Sequence, residues 1–118
     1  MSPEQRRAPD GVDKEFLRGT LDLLILKALS LEPMHGWAIA QRLEQLTKDA
    51  LQVGQGSLYP ALQRLEEKGW VESDWRVTDQ NRRAKYYELT SAGRRALTDE
   101  ARQWQRYVAM VDVVLRTT

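Results

Sequence analysis

The chain has 118 residues, of which 42% are hydrophobic, and its 18 basic and 17 acidic residues leave a formal net charge of +1. This length predicts one compact domain, and the near-neutral charge means that any electrostatic binding surface must be local. Because cysteine is absent and His35 is the single histidine, we expect that the protein is not an enzyme and that it has no metal site and no cofactor. With no apolar run of about 18 residues and no signal-peptide pattern, we expect a cytoplasmic protein without a membrane partner.

The first third of the chain predicts an arm and two helices. Residues 1–12 are polar, contain two prolines and a glycine, and lack periodicity, so we expect a flexible N-terminal arm. From about Lys14 to Leu31, apolar residues recur every three or four positions, which predicts a helix buried on more than one side. Its stripe comprises Leu17, Leu21, Leu24, Ala28 and Leu31.

After Pro33 and Gly36, the segment WAIAQRLEQL predicts a shorter second helix, and His35 is expected to be a turn or capping residue. The apolar stripe of this helix comprises Ile39, Ala40, Leu43 and Leu46.

The stretch GQGSLYPALQRLEEKGWV predicts a third helix with two different faces. Apolar residues at i, i+3, i+4 and i+7 form the first face: Leu58, Ala61, Leu62 and Leu65. We expect Ser57 to be the N-cap, Pro60 to lie in the first turn and Gly69 to end the helix. The second face is polar, aromatic and basic, and the core of the protein does not use it: Ser57, Tyr59, Gln63 and Arg64.

A hairpin follows the third helix. The segments WVESDWRV and AKYYELT alternate as strands do, with Val71, Trp75 and Val77 on one face of the first strand and Tyr87 and Leu89 on one face of the second. Between them, TDQNRR is a polar, turn-prone loop. From Arg76 to Arg95 the chain has six basic residues and two acidic ones, a net charge of +4. The hairpin therefore carries a local basic surface in a protein of almost no net charge.

The last predicted helix runs to about Arg116, with Thr90 or Ser91 as its cap. Its apolar residues recur at alternating spacings of four and three: Leu97, Ala101, Trp104, Val108, Val111 and Leu115. No other predicted helix of this length is available to cover that stripe within one chain. The stripe therefore predicts a dimer interface, with Trp104 as an aromatic residue in its core.

The order of these elements is that of a winged helix-turn-helix with an extra C-terminal helix, a mainly α fold with a small β-hairpin. We divide it into an arm (1–12), a DNA-binding domain (13–90) and a dimerisation helix (91–118). In this fold the polar face of the third helix reads base edges in the major groove of double-stranded DNA. The basic residues of the wing, Arg82, Arg83 and Lys85, bind backbone phosphates. A winged helix can also be a protein-interaction module without DNA contact, and the near-neutral charge leaves that alternative open.

Three segments also resemble the PadR-type transcriptional regulators: LDLLILKALSLEPMHGWAI, GSLYPALQRLEEKGWV and RRAKYYELTSAG, in a match from about Leu17 to Leu115. The resemblance implies a homodimer that binds a palindromic promoter site and usually represses transcription until a small molecule or another signal releases it. It points to the branch of the family with a single C-terminal dimerisation helix, which packs against the partner and its first helix, the helix of Leu17 and Leu21. Two features depart from the family pattern: the sequence has HGW where HGY is common, and its wing lacks the Gly-rich tip often seen there.

The resemblance also suggests an effector site. In some PadR-type regulators, a tryptophan at the position of Trp104 stacks on flat aromatic ligands at the centre of the dimer. We therefore hypothesise that Trp104 binds a small planar aromatic effector. The alternative is that this ring only fills the dimer core.

Overall fold

The computed structural model describes the backbone of residues 14–117 and the side chains of residues 20–117. Within this range four helices and three strands follow one another along the chain. The helices are α1 (Lys14–Leu29), α2 (Gly36–Leu46), α3 (Gln55–Glu67) and α4 (Ser91–Arg116). The strands are β1 (Met34–His35), β2 (Val71–Val77) and β3 (Arg83–Leu89), arranged as an antiparallel sheet in the order β1-β3-β2. This architecture confirms the predicted winged helix-turn-helix with a long C-terminal helix, and the predicted arm lies outside the described residues.

The core forms around α1, which contacts the other three helices and β3. Its buried residues lie on several sides of the helix, as the sequence predicts for a helix that is apolar most of the way round. The predicted apolar face of α3 is buried as well. The largest fully buried side chains are Leu21, Ile25, Leu26, Leu29, Ile39, Leu58, Leu62, Leu65 and Val71.

Two leucines of the predicted stripes lie at the surface instead. Leu31 is 78% exposed, because α1 ends at Leu29 and Leu31 lies in the bend that follows. Leu46 is also exposed, as the last residue of α2. In both cases the apolar periodicity continues to the helix end or beyond it, where the core no longer covers the side chain.

The start of α3 differs from the prediction. Gly54, not Ser57, is the N-cap residue, and its carbonyl accepts a hydrogen bond from the Leu58 amide at 3.0 Å. Helix α3 therefore begins at Gln55, and Pro60 lies in the second turn, where it cannot donate to the carbonyl of Gly56. The first turn carries the polar residues Gln55, Gly56 and Ser57, so no apolar pattern marks it in the sequence.

The end of α3 agrees with the prediction. Gly69 adopts the left-handed conformation, with φ of +76°. Its amide donates to the carbonyl of Glu66, and the amide of Trp70 donates to the carbonyl of Leu65, each at 3.0 Å. This pair of hydrogen bonds forms a Schellman motif, which stops the helix and turns the chain directly into β2.

The hairpin has the predicted strands, and the sheet has one strand more. The register pairs Val71 with Leu89 and Val77 with Arg83, so residues 78–82 form the loop. Strand β1 was not predicted, because two residues are too few for an alternating pattern to show. It pairs Met34 with Tyr87. His35 is the N-cap of α2 and accepts a hydrogen bond from the Ala38 amide through Nδ1, which confirms its expected capping role.

Helix α4 joins the rest of the fold through its first two turns. Thr90 is its N-cap: the hydroxyl accepts from the Gly93 amide at 3.0 Å and donates to the carbonyl of Gly69 at 2.7 Å. Gly93 and Ala96 are the buried residues of α4. At Gly93 the helix comes so close to the end of α3 that a Cβ atom would overlap the carbonyl of Trp70. Among the described helices, none is long and apolar enough to cross a membrane.

Replacing Gly93 with alanine is expected to lower the free energy of unfolding by about 1–3 kcal/mol, because the new Cβ meets backbone that cannot rotate away. The matched control is Gly56→Ala, where an added Cβ meets nothing within 4 Å. Alanine favours helix over glycine, so this control should gain up to about 1 kcal/mol. Urea denaturation measures both effects. A Gly93→Ala variant as stable as the wild type would contradict the close packing of α4 on Trp70.

Candidate nucleic-acid interface

Helix α3 and the β2–β3 ribbon lie side by side and enclose an open groove of about 560 Å³. The groove combines residues of α3 with residues of β3. Three of the predicted site residues line it: Tyr59, Gln63 and Lys85. Three further residues complete the lining: Glu66, Glu67 and Tyr87. The other predicted residues, Ser57, Arg64, Arg82 and Arg83, lie outside it.

The ring of Tyr59 packs on the start of α2. A Cβ added to the buried Gly36 would lie 2.9 Å from both the ring and the hydroxyl of Tyr59. The side chain is nevertheless 44% exposed. Packing on the scaffold and access to solvent are therefore both present, and the absence of a Cβ at Gly36 makes room for the ring.

The two polar residues that follow on α3 have different partners. Gln63 is exposed, and its Nε2 lies 3.4 Å from Oε1 of Glu67, one turn later. Arg64 donates from Nη2 to Oδ1 of Asp22 on α1 at 2.9 Å, which ties α3 to α1. This ion pair is about half exposed on the arginine side, so it contributes little to stability. Ser57 is half-buried in the first turn of α3, where its amide donates to the carbonyl of Gly54.

The wing loop is closed by its own hydrogen bonds. The Thr78 amide donates to the Arg82 carbonyl at 2.7 Å, the Arg82 amide donates to the Thr78 hydroxyl, and Asn81 takes a positive φ of 61°. Arg82 and Arg83 are exposed, and neither has a carboxylate partner among the described residues. The guanidinium of Arg83 lies 5.3 Å from the ring centroid of Trp75, which is 60% exposed. The wing therefore presents positive charge that the described residues do not neutralise.

Lys85 lies on β3, further from the loop than Arg83, and forms an ion pair with Glu66 of α3. Its Nζ is 3.9 Å from Oε1 of Glu66, whose Oε2 accepts a hydrogen bond from the Ser73 hydroxyl at 2.8 Å. Burial raises the pKa of Tyr87, and the negative charge of Glu66 raises it further. The sequence predicted no role for Glu66, because its partners are seven and nineteen residues further along the chain and no periodic pattern connects them.

The predicted stripe of α4 is exposed for most of its length. Leu97 packs against the core, but Trp104 is 44% exposed and Leu115 is exposed as well, while Val108 and Val111 are half-buried. Of the two first-helix residues expected at a dimer interface, Leu21 is only 2% exposed. That expectation is corrected: the side chain of Leu21 lies inside its own core and has no surface to offer a partner. The side chain of Leu17 lies outside the described residues.

Transcriptional regulators from other organisms are similar to this chain in sequence and in fold. The model of the transcriptional regulator PadR-like family matches residues 25–99. The transcriptional regulator Rv3488 of Mycobacterium tuberculosis is 38% identical over 89 residues, which cover 75% of this chain and 79% of that protein. The crystal structure of a PadR family transcriptional regulator from Eggerthella lenta has a TM-score of 0.75 at 33% identity and covers 88% of each chain. A putative transcriptional regulator from Thermoplasma acidophilum has a TM-score of 0.73 at 30% identity, over 89% of this chain and 99% of that one.

Proposed function

This chain belongs to the PadR-like family of transcriptional regulators, and we propose that it is a homodimeric repressor in the cytoplasm that binds a palindromic promoter operator. One observation carries the proposal: the polar face of α3 lies beside a wing whose two arginines have no carboxylate partner in the described part of the chain. Sequence-specific binding to DNA uses both features, because side chains on a helix read base edges and cations on a flanking element bind phosphates.

The exposed face of α3 suits the major groove. A helix with its side chains is about 10–12 Å across, and the major groove of B-DNA is about 12 Å wide. We propose that Gln63, which can pair with the edge of an adenine, and Tyr59 contact bases, and that Ser57 contacts DNA at the start of the helix. Arg64 is proposed as a phosphate contact. This half-exposed arginine would exchange its partner Asp22 for a phosphate at little cost, because such surface pairs contribute about 0–1 kcal/mol.

The wing supplies the electrostatic part of the binding. Arg82 and Arg83 are proposed to bind backbone phosphates and release the counterions condensed there. Lys85 lines the groove and forms an ion pair with Glu66. Its phosphate contact is therefore proposed to be weaker than those of Arg82 and Arg83. Affinity would then depend on salt through the two arginines in particular.

The double variant Arg82→Ala, Arg83→Ala is expected to bind DNA more weakly and with a smaller salt dependence. Each lost phosphate contact should reduce the slope of log affinity against log salt concentration by about 0.9. The control is Arg102→Ala, Arg106→Ala, which removes the same charge from the side of α4 opposite its apolar stripe. Fluorescence anisotropy with duplexes from the upstream intergenic region measures both. Equal slopes for the two double variants would contradict the assignment of the wing, and no DNA binding by the wild type would favour a protein-interaction module.

The exposed stripe of α4 supports the dimer. The helix has 26 residues and is about 39 Å long, and past Leu97 most of its large apolar side chains are exposed. We propose that this stripe, with Leu97, Trp104, Val108, Val111 and Leu115, packs against the same helix of a second copy. The division into a DNA-binding domain (13–90) and a dimerisation helix (91–118) follows from that arrangement. Two copies would present their α3 helices to half-sites one helical turn or a multiple of it apart.

Replacing Val111 with aspartate is expected to raise the dissociation constant of the dimer by at least about tenfold, because each subunit would place an unpaired carboxylate in the interface. Val113→Asp is the matched control: it makes the same change two residues away, on the other side of the helix. Sedimentation equilibrium compares the two. If both variants dissociate alike, or neither does, the interface does not lie on the predicted stripe.

The partial exposure of Trp104 supports an effector site on the same helix. We propose that the two Trp104 rings of the dimer stack on a small planar aromatic effector, since flat rings favour offset stacking with one another. Titration with a library of planar aromatic compounds should then quench tryptophan fluorescence and lower operator affinity, and Trp104→Leu should abolish both responses. No quenching by any compound, with unchanged operator affinity, would reduce Trp104 to a residue of the dimer core.

A further inference from the structure

One carboxylate joins α3 to both strands of the wing. Oε2 of Glu66 accepts a hydrogen bond from the Ser73 hydroxyl of β2 at 2.8 Å, and Oε1 lies 3.9 Å from Nζ of Lys85 on β3. Ser73 and Lys85 lie on the same face of the ribbon, because the register pairs Ser73 with Tyr87 and Trp75 with Lys85. A single side chain of α3 therefore contacts the ribbon at two points, one on each strand.

This link is the only polar side-chain connection between α3 and the wing among the described residues. The neighbouring Glu67 lines the same groove, yet its carboxylate contacts Gln63 of its own helix. The apolar core reaches β2 only at Val71, but it reaches β3 at Leu89 and Tyr87, and Tyr87 also pairs with β1. Beyond Tyr87 the ribbon is half-buried or exposed. The contacts of Glu66 therefore extend the attachment of the wing from Tyr87 to Lys85, two residues nearer the loop.

A carboxylate at this position has an electrostatic cost if the face binds DNA. Negative charge next to phosphates weakens binding to every sequence, because the general affinity of a protein for DNA depends on its cations. Glu66 also takes up part of the charge of Lys85, which would otherwise be free for a phosphate. The cost is offset if the contact fixes the wing relative to α3, because the wing is then already in place to bind phosphates when α3 contacts bases.

We propose that Glu66 is a positioning residue, which fixes the wing relative to the recognition helix and thereby raises the preference of the protein for its operator over random DNA. The proposal rests on the proposed function. Specific binding needs base contacts by α3 and phosphate contacts by the wing at the same time, so a wing ordered in advance avoids an entropic cost on binding. Random DNA makes no such demand, because charge alone supports non-specific binding.

The test compares Glu66→Ala with Glu67→Gln, two variants that remove the same charge from adjacent positions of one helix, the second of which keeps an oxygen that can accept from Gln63. The measured quantity is the ratio of affinities for an operator duplex and a random duplex at one salt concentration. Glu67→Gln is expected to strengthen binding to both duplexes and leave their ratio unchanged. Glu66→Ala is expected to lower the ratio about three- to tenfold, the range that corresponds to the loss of one hydrogen bond.

Two further variants separate positioning from charge. Glu66→Gln keeps an oxygen that can accept from the Ser73 hydroxyl, so it should recover part of the ratio. Ser73→Ala removes that hydrogen bond without any change of charge and should lower the ratio in the same direction as Glu66→Ala. If Glu66→Ala and Glu67→Gln have the same ratio, or Ser73→Ala has the wild-type ratio, the proposal is overturned.

Amide hydrogen exchange in the absence of DNA tests the link by itself. Amides of residues 72–77 and 83–88 should exchange faster in Glu66→Ala than in Glu67→Gln, because the ribbon loses its polar contacts with α3. Equal exchange in the two variants overturns the proposal. If the wild-type protein prefers no duplex over random DNA, the proposed function fails, and the exchange measurement still decides whether Glu66 fixes the wing.

Discussion

The burial of α1 is the constraint on which the rest of the structure depends. This helix is apolar most of the way round, so it can pack against α2, α3 and α4 at once. Its position obliges α3 to turn Leu58, Leu62 and Leu65 inward. Because the helical period is fixed, residues between these leucines, such as Tyr59 and Gln63, then lie on the outer face beside the wing. The polar groove is thus a direct consequence of how the core is filled.

A second junction connects the groove to α4. The end of α3, the start of β2 and the cap of α4 meet where Thr90 binds the carbonyl oxygens of Gly69 and Trp70. Gly93 packs against the same peptide group of Trp70, with no space for a Cβ. The contact leaves little freedom between the helix that carries the exposed apolar stripe and the helix that carries the polar face. In the proposed dimer, the angle between the two α4 helices would therefore set the spacing between the two α3 helices.

Long periodic segments of this protein are predictable from the sequence, and pairings between distant segments are not. The stripes of α1, α3 and α4 follow the helical period over many residues, so α1 and α4 were placed to within two residues and the buried leucines of α3 were identified. The start of α3 at Gln55 and the strand β1 escaped prediction, because a polar first turn and a two-residue strand carry no periodic signal. The burial of Leu21 and the exposure of Leu31 depend on where the neighbouring elements lie and end. The apolar pattern of a single helix does not contain that information. The same holds for Arg64 with Asp22 and for Glu66 with Ser73, since a salt bridge or a side-chain hydrogen bond needs only two residues and leaves no repeat.

The distribution of charge on the candidate interface explains how a protein with a net charge of +1 could discriminate between DNA sequences. Non-specific affinity grows with every free cation, so a strongly basic face would bind all DNA tightly and leave little difference between an operator and random sequence. Here Arg64, Arg76 and Lys85 each have a carboxylate partner, and within the described chain Arg82 and Arg83 do not. In the proposed complex, the unpaired positive charge lies on the wing, which binds phosphates, while the groove lining carries a net charge of −1 from Glu66, Glu67 and Lys85. Binding energy in the groove then has to come from hydrogen bonds and shape, which differ from one base sequence to another.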